Sequence, residues 1–445
     1  MKDFTKGNEG KLIFYFAIPI VMTNILQQAY NIVDSIIVGR ALGKISLGAI
    51  GATASINFFV LALILGITTG STILIAQYYG AKDIKNLRKT IDTSFIFIMV
   101  SSIILGLLGY FFTCSILQLL RTPENIISQS AIFLKINFLG LPLVFGYNVI
   151  SAILRGVGDS KTPLYFLIFS SIVNVILELL FVITLKWGIA GSSYATLIAQ
   201  GFSFLLGFRY INKKNDILKI NLKKMVFDKK IFYQILKIGL PSSVQYLLVS
   251  LGLMSVQALT NSFGAEIVSA FGAAGRIESI GIMPAISFNA ALSSFVAQNI
   301  GAGNYERVNK GYKVTLVMSV AVVLAMTLGI QTFKSGIMTM FVTDDNVIEI
   351  GAKYLAITSL FYILHNIQYV TYGLIKGAGD AFVPMIISAG TLWVIRIPIA
   401  YSLSHYIGSD CIPWSLCATW FIGFICAYGY YLTGRWRTKA LAFSA

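Results

Sequence analysis

The chain has 445 residues, 56% of them hydrophobic and only 12% charged, with 34 Lys and Arg against 18 Asp and Glu for a net charge of +16. Soluble domains average about 25% charged and 45–50% apolar residues. The composition therefore excludes an ordinary soluble domain and implies a polytopic membrane protein.

Twelve spans are predicted, at 12–39, 47–79, 92–113, 130–154, 163–185, 188–210, 232–262, 267–297, 314–335, 350–374, 383–406 and 411–434. Runs such as "SFIFIMVSSIILGLLGYFF" from Ser94 exceed the roughly 10–14 residues of a buried core helix. Several spans are longer than the roughly 20 residues a bilayer needs, so tilted or overhanging helices are expected. The first eleven residues are polar and no small-residue cleavage site follows span 1, which predicts no removable signal peptide.

Span 1 holds "QQAYNIVDSIIVGR", with Asp34 inside the apolar segment and Gln27, Tyr30 and Asp34 on one helical stripe. At about 1.5 Å per residue, Asp34 lies about 9 Å below the outer end near Arg40. Span 5 carries Asn174 and Glu178, at i and i+4 on one face, with Glu178 about 12 Å below Lys186. Span 6 places Thr196 about 12 Å below Gly188. Three helices thus bring oxygen ligands to one level in the outer half of the bilayer, a geometry suited to a hard monovalent cation or a proton. A lone carboxylate there costs at least about 2–3 kcal/mol on insertion scales, so Asp34 is expected to face a cavity and to have partners.

A basic stretch, 211–231, separates spans 6 and 7. Span 8 carries Arg276 and Glu278, two residues apart and so on roughly opposite faces. Span 10 adds a polar strip of His365, Asn366, Gln368, Tyr369 and Tyr372, and Arg396 on span 11 is a candidate partner for Glu278. Arg276, Glu278, His365 and Arg396 read equally well as structural pairing or as the lining of a drug site.

A single offset of 221 residues relates the two halves. "IAQYYGA" at 75–81 matches "VAQNIGA" at 296–302, "LRGVGDSKTP" at 154–163 matches "IKGAGDAFVP" at 375–384, and Pro19 and Pro241 agree to within one residue. Each half holds six spans, an even number, so both enter the membrane in the same sense. A pseudo-two-fold axis along the membrane normal and a substrate site between the halves near mid-membrane are expected. The predicted organisation is an N-terminal six-helix lobe, 1–210, a cytoplasmic basic linker, 211–231, and a C-terminal six-helix lobe, 232–445. "GVGDSKT" lacks the spacing of a phosphate-binding loop, has no strand before it, and reads as a tight turn before a helix.

The offset also isolates what only one half possesses. Asp34, Asn174, Glu178 and Thr196 become Ser255, Ile395, Ile399 and Cys417. Packing shared by both halves does not require these four groups, so a function specific to the first half is implied.

Charge placement sets the topology. Counting span ends with the connections they adjoin, alternate connections starting from the N-terminus hold 25 Lys and Arg and the opposite set seven, while Arg276 and Arg396 fall well inside spans. The positive-inside rule then predicts both termini and the linker in the cytoplasm of a cell membrane, against anionic lipid headgroups, with no nucleic-acid partner. Four cysteines without CxxC spacing and two histidines support neither a disulfide framework nor a metal site nor a cofactor.

Taken in order and duplicated, "AIPIVMTNILQQAYNIVDSIIVGRALG", the AQ-x-x-GA loops and the R/K-G-x-G-D turns resemble the multidrug and toxic compound extrusion (MATE) family over nearly the whole chain. The resemblance implies an all-α, V-shaped pair of six-helix lobes that expels organic cations and other drugs in exchange for protons or sodium ions. It implies a cation site at Asp34, Asn174, Glu178 and Thr196, with Asn148 as a further member, and bending of span 1 at Pro19. Many members have Asp where this chain has Glu178, which leaves the choice between proton and sodium open. A monomer is expected. A flippase for a lipid-linked precursor of the same superfamily would need a strongly cationic cavity, for which only Arg276 and Arg396 are available. An intramembrane enzyme would need a nucleophile–base or metal constellation that the scattered His and Cys do not supply. A channel would need a re-entrant filter segment, and none is visible.

Overall fold

The computed structural model describes residues 2–214 and 217–440, and among these every regular element is helical. In chain order the helices are α1 (Glu9–Gly80), α2 (Ile84–Leu119), α3 (Glu124–Gly156), α4 (Lys161–Glu178), α5 (Gly188–Lys214), α6 (Lys229–Asn261), α7 (Ala265–Gly301), α8 (Tyr305–Met338), α9 (Asp345–Leu360), α10 (Tyr362–Gly377), α11 (Phe382–Ala389), α12 (Ile397–Ile407) and α13 (Cys411–Leu432). A π-helical turn, Leu179–Thr184, continues α4, and a second, Gly390–Arg396, joins α11 to α12.

Nine continuous helical stretches among the described residues are long and apolar enough to cross a membrane, and ten if α9 and α10, bent by 48° at Phe361, form one span. Two of these stretches are each too long for one crossing. Helix α1 has 72 residues, about 108 Å at 1.5 Å per residue against a hydrocarbon core of about 30 Å. It turns at Gly43, where φ 79° and ψ −172° suit a residue without Cβ. The stretch Phe382–Leu432 has 51 residues and breaks at Gly408, φ 57°. With both counted as pairs, the crossings agree with the twelve spans read from the sequence.

The duplication is visible in the element boundaries. Helices α2 and α8 begin at Ile84 and Tyr305, α3 and α9 at Glu124 and Asp345, and α4 and α11 at Lys161 and Phe382, each pair 221 residues apart. The Gly-x-Gly-Asp turns behave as turns in both copies. Gly158 and Gly379 have φ of 82° and 105°, and Asp159 and Asp380 accept the backbone N–H of Thr162 and Val383 at 3.0 and 3.3 Å, capping the next helix.

The chain forms two compact units, one built on Met22–Leu240 and the other on Asp3–Val21 with Pro241–Ala445. The basic linker and the first turns of α6 therefore pack with the first unit, and the start of α1 packs with the second. In the first unit α3 lies against α2 and α5. In the second, Phe4 is fully buried against Phe16 and Phe295, its N–H held by Gln298 Oε1 and its carbonyl by Asn299 and Arg307. Arg307 also pairs with Glu9 at 3.0 Å, fixing the first turn of α1 to this unit.

Candidate functional site

The strongest constellation lies inside the first unit. Helix α4 buries one stripe, which runs Leu167, Ser170, Asn174, Glu178 at spacings of three and four. The outer limb of α1, the residues between Pro19 and Gly43, presents Gln27, Tyr30 and Asp34, and α5 presents Ser192, Thr196 and Gln200. These stripes meet. Tyr30 Oη and Thr196 Oγ1 are 3.2 Å apart, and Asn174 Nδ2 donates to the same hydroxyl oxygen at 3.2 Å. Gln27, Tyr30, Ser170, Asn174, Thr196 and Gln200 line a cleft of about 270 Å³, counting the solvent at its mouth.

Glu178 lies at the deep end of the stripe and is 0% exposed. Its carboxyl faces that of Asp34, and the Ser192 hydroxyl adjoins both. Beyond the facing Asp34 carboxyl and the Ser192 hydroxyl, neither Glu178 oxygen has a hydrogen-bond partner, and Asn174 Oδ1 has none, although all three are fully buried. Unpaired buried acceptors cost about 1–3 kcal/mol each and more when charged. No Lys or Arg is among the groups whose charge acts on either carboxyl. Two facing carboxyls, an unpaired amide oxygen and no counter-charge are satisfied by a positive charge from outside. A proton shared between the acids would do this, and so would a hard cation coordinated by oxygen. No group of three or more His, Cys, Asp or Glu suited to a transition metal occurs among the described residues.

The π-helical turn begins immediately after Glu178. Such turns insert an extra residue into a helix and re-aim side chains, and they recur at functional sites. Of the residues singled out in the sequence, Gln27, Tyr30, Asp34, Asn174, Glu178 and Thr196 come together here. Asn148 spends its amide on the carbonyl of Val144 in its own helix, at 2.8 Å, and is not among the cleft residues. Ser192 was not anticipated. Its only sequence signal is its place four residues before Thr196, on the same face of α5.

In the second unit, Glu278 Oε2 accepts from Tyr354 Oη at 2.6 Å. Arg396, expected as its partner, lies within electrostatic range but forms no ion pair within 4.0 Å. The two side chains leave different helices and Arg396 sits on a π-helical turn, so proximity in sequence-derived depth did not become contact. His365 is buried, with the tilted rings of Tyr369 and Trp420 at centroid distances of 4.3 and 5.1 Å. Arg276 is exposed.

Comparison with known proteins bears on the family and the fold. The MatE family model matches twice, at residues 19–180 and 241–402, once per repeat. The probable multidrug resistance protein YpnP of Bacillus subtilis is 32% identical over 439 residues, covering 99% of this chain and 98% of that protein. The probable multidrug resistance protein NorM of Thermotoga maritima is 24% identical, covering 97% of this chain and 94% of its own length. Among solved structures, one described as MATE in the bent conformation superposes with a TM-score of 0.91 at 24% identity, covering 98% of this chain and 97% of the other. Another, described as the outward-facing conformation of a multidrug resistance MATE family transporter, gives 0.91 at 23% identity, covering 99% of each chain. At these identities the structural matches establish the fold alone.

Proposed function

Because the chain belongs to the MatE family of multidrug and toxic compound extrusion transporters, and so is a transporter and not an enzyme, we propose that it is a secondary antiporter driven by protons or sodium ions. Its relatives are named for multidrug resistance, and its cargo is cationic or amphipathic drugs. The coupling ion enters the cleft beside Asp34 and Glu178. One observation carries this reading: a carboxylate with no exposure faces a second carboxylate, with the Ser192 hydroxyl beside them and no basic residue at hand.

The cycle follows from charge. Without an ion the two acids repel each other in a poorly solvated site, and Asp34 gains by staying near water. An arriving cation or proton removes the repulsion, and the outer limb of α1 packs against α4 and α5. Pro19 lacks the N–H that would tie it to the preceding turn, so α1 is short of one helix hydrogen bond there and bends at lower cost. Repacking of α1 lowers the affinity for drug, which leaves outward, and ion release to the cytoplasm restores the starting state. Each charge moved through 100 mV supplies about 2.3 kcal/mol before any concentration gradient is counted. The drug-facing work needs no cofactor. The chain acts as a single polypeptide in the cell membrane, with both termini in the cytoplasm.

The test is dye efflux from everted vesicles energised separately by a proton or a sodium gradient. Asp34→Asn is expected to drop to the rate of vesicles lacking the protein with whichever ion drives the wild type. Full-rate pumping by Asp34→Asn under either gradient would place coupling elsewhere.

A further inference from the structure

The segment joining α5 to α6 is not a simple solvated loop. Its first part is tied down, with Leu218 and Ile220 buried and the Ile220 N–H donated to Asn212 Oδ1 at 2.8 Å. Its last part runs beside α2. There the Val226 N–H meets Asp92 Oδ2 at 3.4 Å, and the Asp228 N–H meets Thr93 Oγ1 at 3.1 Å. Between these ties the side chains turn outward: Leu222, Val226 and Phe227 are 64%, 52% and 42% exposed. A scattered exposed leucine is ordinary. Three large apolar side chains on a short strap whose backbone is fixed at both ends form a patch that asks for a cover.

Depth says what covers it. Asp92 and Thr93 immediately precede the apolar run that starts at Ser94, so these contacts hold the strap where α2 enters hydrocarbon. Aromatic rings continue the patch along that boundary. Phe227 and Phe232 centroids lie 5.3 Å apart, Phe232 and Phe97 4.8 Å, and the exposed Tyr233 ring adjoins Phe232 at 5.7 Å. Tyrosine, with an apolar ring and a polar tip, collects at membrane–water interfaces. Charge then names the lipid. Lys223, Lys224, Lys229 and Lys230 are exposed, and none of their ammonium groups forms an ion pair among the described residues. Asp228, the acid among them, is already taken by Lys89 at 2.8 Å. Lysine stems can lie along apolar surface while their heads stay at phosphate depth. Uncompensated positive charge above outward apolar side chains matches an anionic headgroup layer over acyl chains.

We propose that residues 222–230 form an interfacial anchor selective for anionic phospholipid. Leu222, Val226 and Phe227 insert below the headgroups, and the four lysines sit among the phosphates. Charge counting alone puts a basic linker near the inner leaflet; the backbone ties add a fixed depth and an inserting face. No group of the ion cleft takes part, so the anchor stands or falls apart from the transport reading.

The test uses the full chain without native cysteines, carrying an NBD fluorophore at Leu222→Cys. A reference label sits at Lys85→Cys, exposed in the first turn of α2 and about 10 Å farther from the hydrocarbon than Asp92 at 1.5 Å per residue. Each protein is reconstituted into vesicles of phosphatidylcholine, with or without phosphatidylglycerol, containing lipid with a nitroxide high on its acyl chain. With phosphatidylglycerol, emission at position 222 is expected to move to the blue and to be quenched by the nitroxide. Both effects should be weaker in phosphatidylcholine alone, and position 85 should show neither. Each lysine at an anionic leaflet is worth about fivefold in partition. Lys223→Gln combined with Lys224→Gln should therefore lower the ratio of inserted to solvated strap about 25-fold with phosphatidylglycerol. The comparison of the two vesicle types needs no lysine variant, so it decides the matter even if the double variant does not fold. A label at 222 as solvated as that at 85 in both lipids overturns the anchor. Equal insertion in both lipids overturns its selectivity and with it the proposal. A shift that follows protein density and not phosphatidylglycerol content would assign the patch to a second copy of the chain, and also overturn it.

Discussion

Glu178 shows what one methylene group can decide. The side chain starts at the last residue of α4, ends wholly buried, and faces Asp34 across a gap that the Ser192 hydroxyl also borders. Glu178→Asp keeps the charge but withdraws the carboxyl, enlarging the space between the acids. A proton needs one short contact, whereas a sodium ion needs several oxygens at a fixed radius, so the substitution is expected to shift the ratio of proton-driven to sodium-driven efflux. An unchanged ratio in paired vesicle assays would show that Glu178 does not set the ion. The acids were legible in the sequence because a carboxylate inside an apolar span is costly and so asks for a reason. Ser192 was not, because a serine can satisfy its own hydroxyl on the preceding turn of any helix and so carries no such cost.

At the scale of elements, the π-helical turns after Glu178 and before Ile397 were invisible beforehand, since apolar periodicity does not register a single inserted residue. They matter because each re-aims the charged residue beside it, Glu178 in one copy and Arg396 in the other. The linker before α6 makes a separate prediction. Asp228 accepts Lys89 Nζ at 2.8 Å and takes the N–H groups of Lys230 and Ile231. The lysine contact, and after it the backbone N–H bonds, hold the Asp228 carboxyl below its ordinary value. A lowered folded value means stability that is present above the unfolded carboxylate range, about pH 4, and lost as pH falls through the folded value. Both side chains are partly exposed, so the pair contributes under about 1 kcal/mol. Asp228→Asn should therefore melt slightly below the wild type at pH 7 in detergent, and the gap should close in acid below the ordinary carboxylate range. A gap that widens in acid would reverse the assignment.

For the whole molecule, duplication was the most legible feature, because a constant offset survives even where residue types diverge, and helix starts 221 residues apart bear it out. The division into compact units was less so. A polar linker marks where a reader would cut the chain, but packing follows helices through it, and the units part near Pro19 and at Pro241. Charge gives the remaining global prediction. Twenty-five of the basic residues lie on one set of connections and seven on the other, and each lysine or arginine near the anionic inner leaflet gains about 1 kcal/mol there. That bias far exceeds thermal energy, so the orientation should be uniform. In a variant without native cysteines, single cysteines at Lys224 and Met340, both exposed, report the two faces. A membrane-impermeant maleimide is expected to label position 340 and spare 224 in intact cells, and to label 224 and spare 340 in everted vesicles. The opposite pattern would turn the molecule over. The cleft beside Asp34 would then open toward the cytoplasm, and an inward ion gradient could no longer load it, so this labelling result bears directly on the direction of transport.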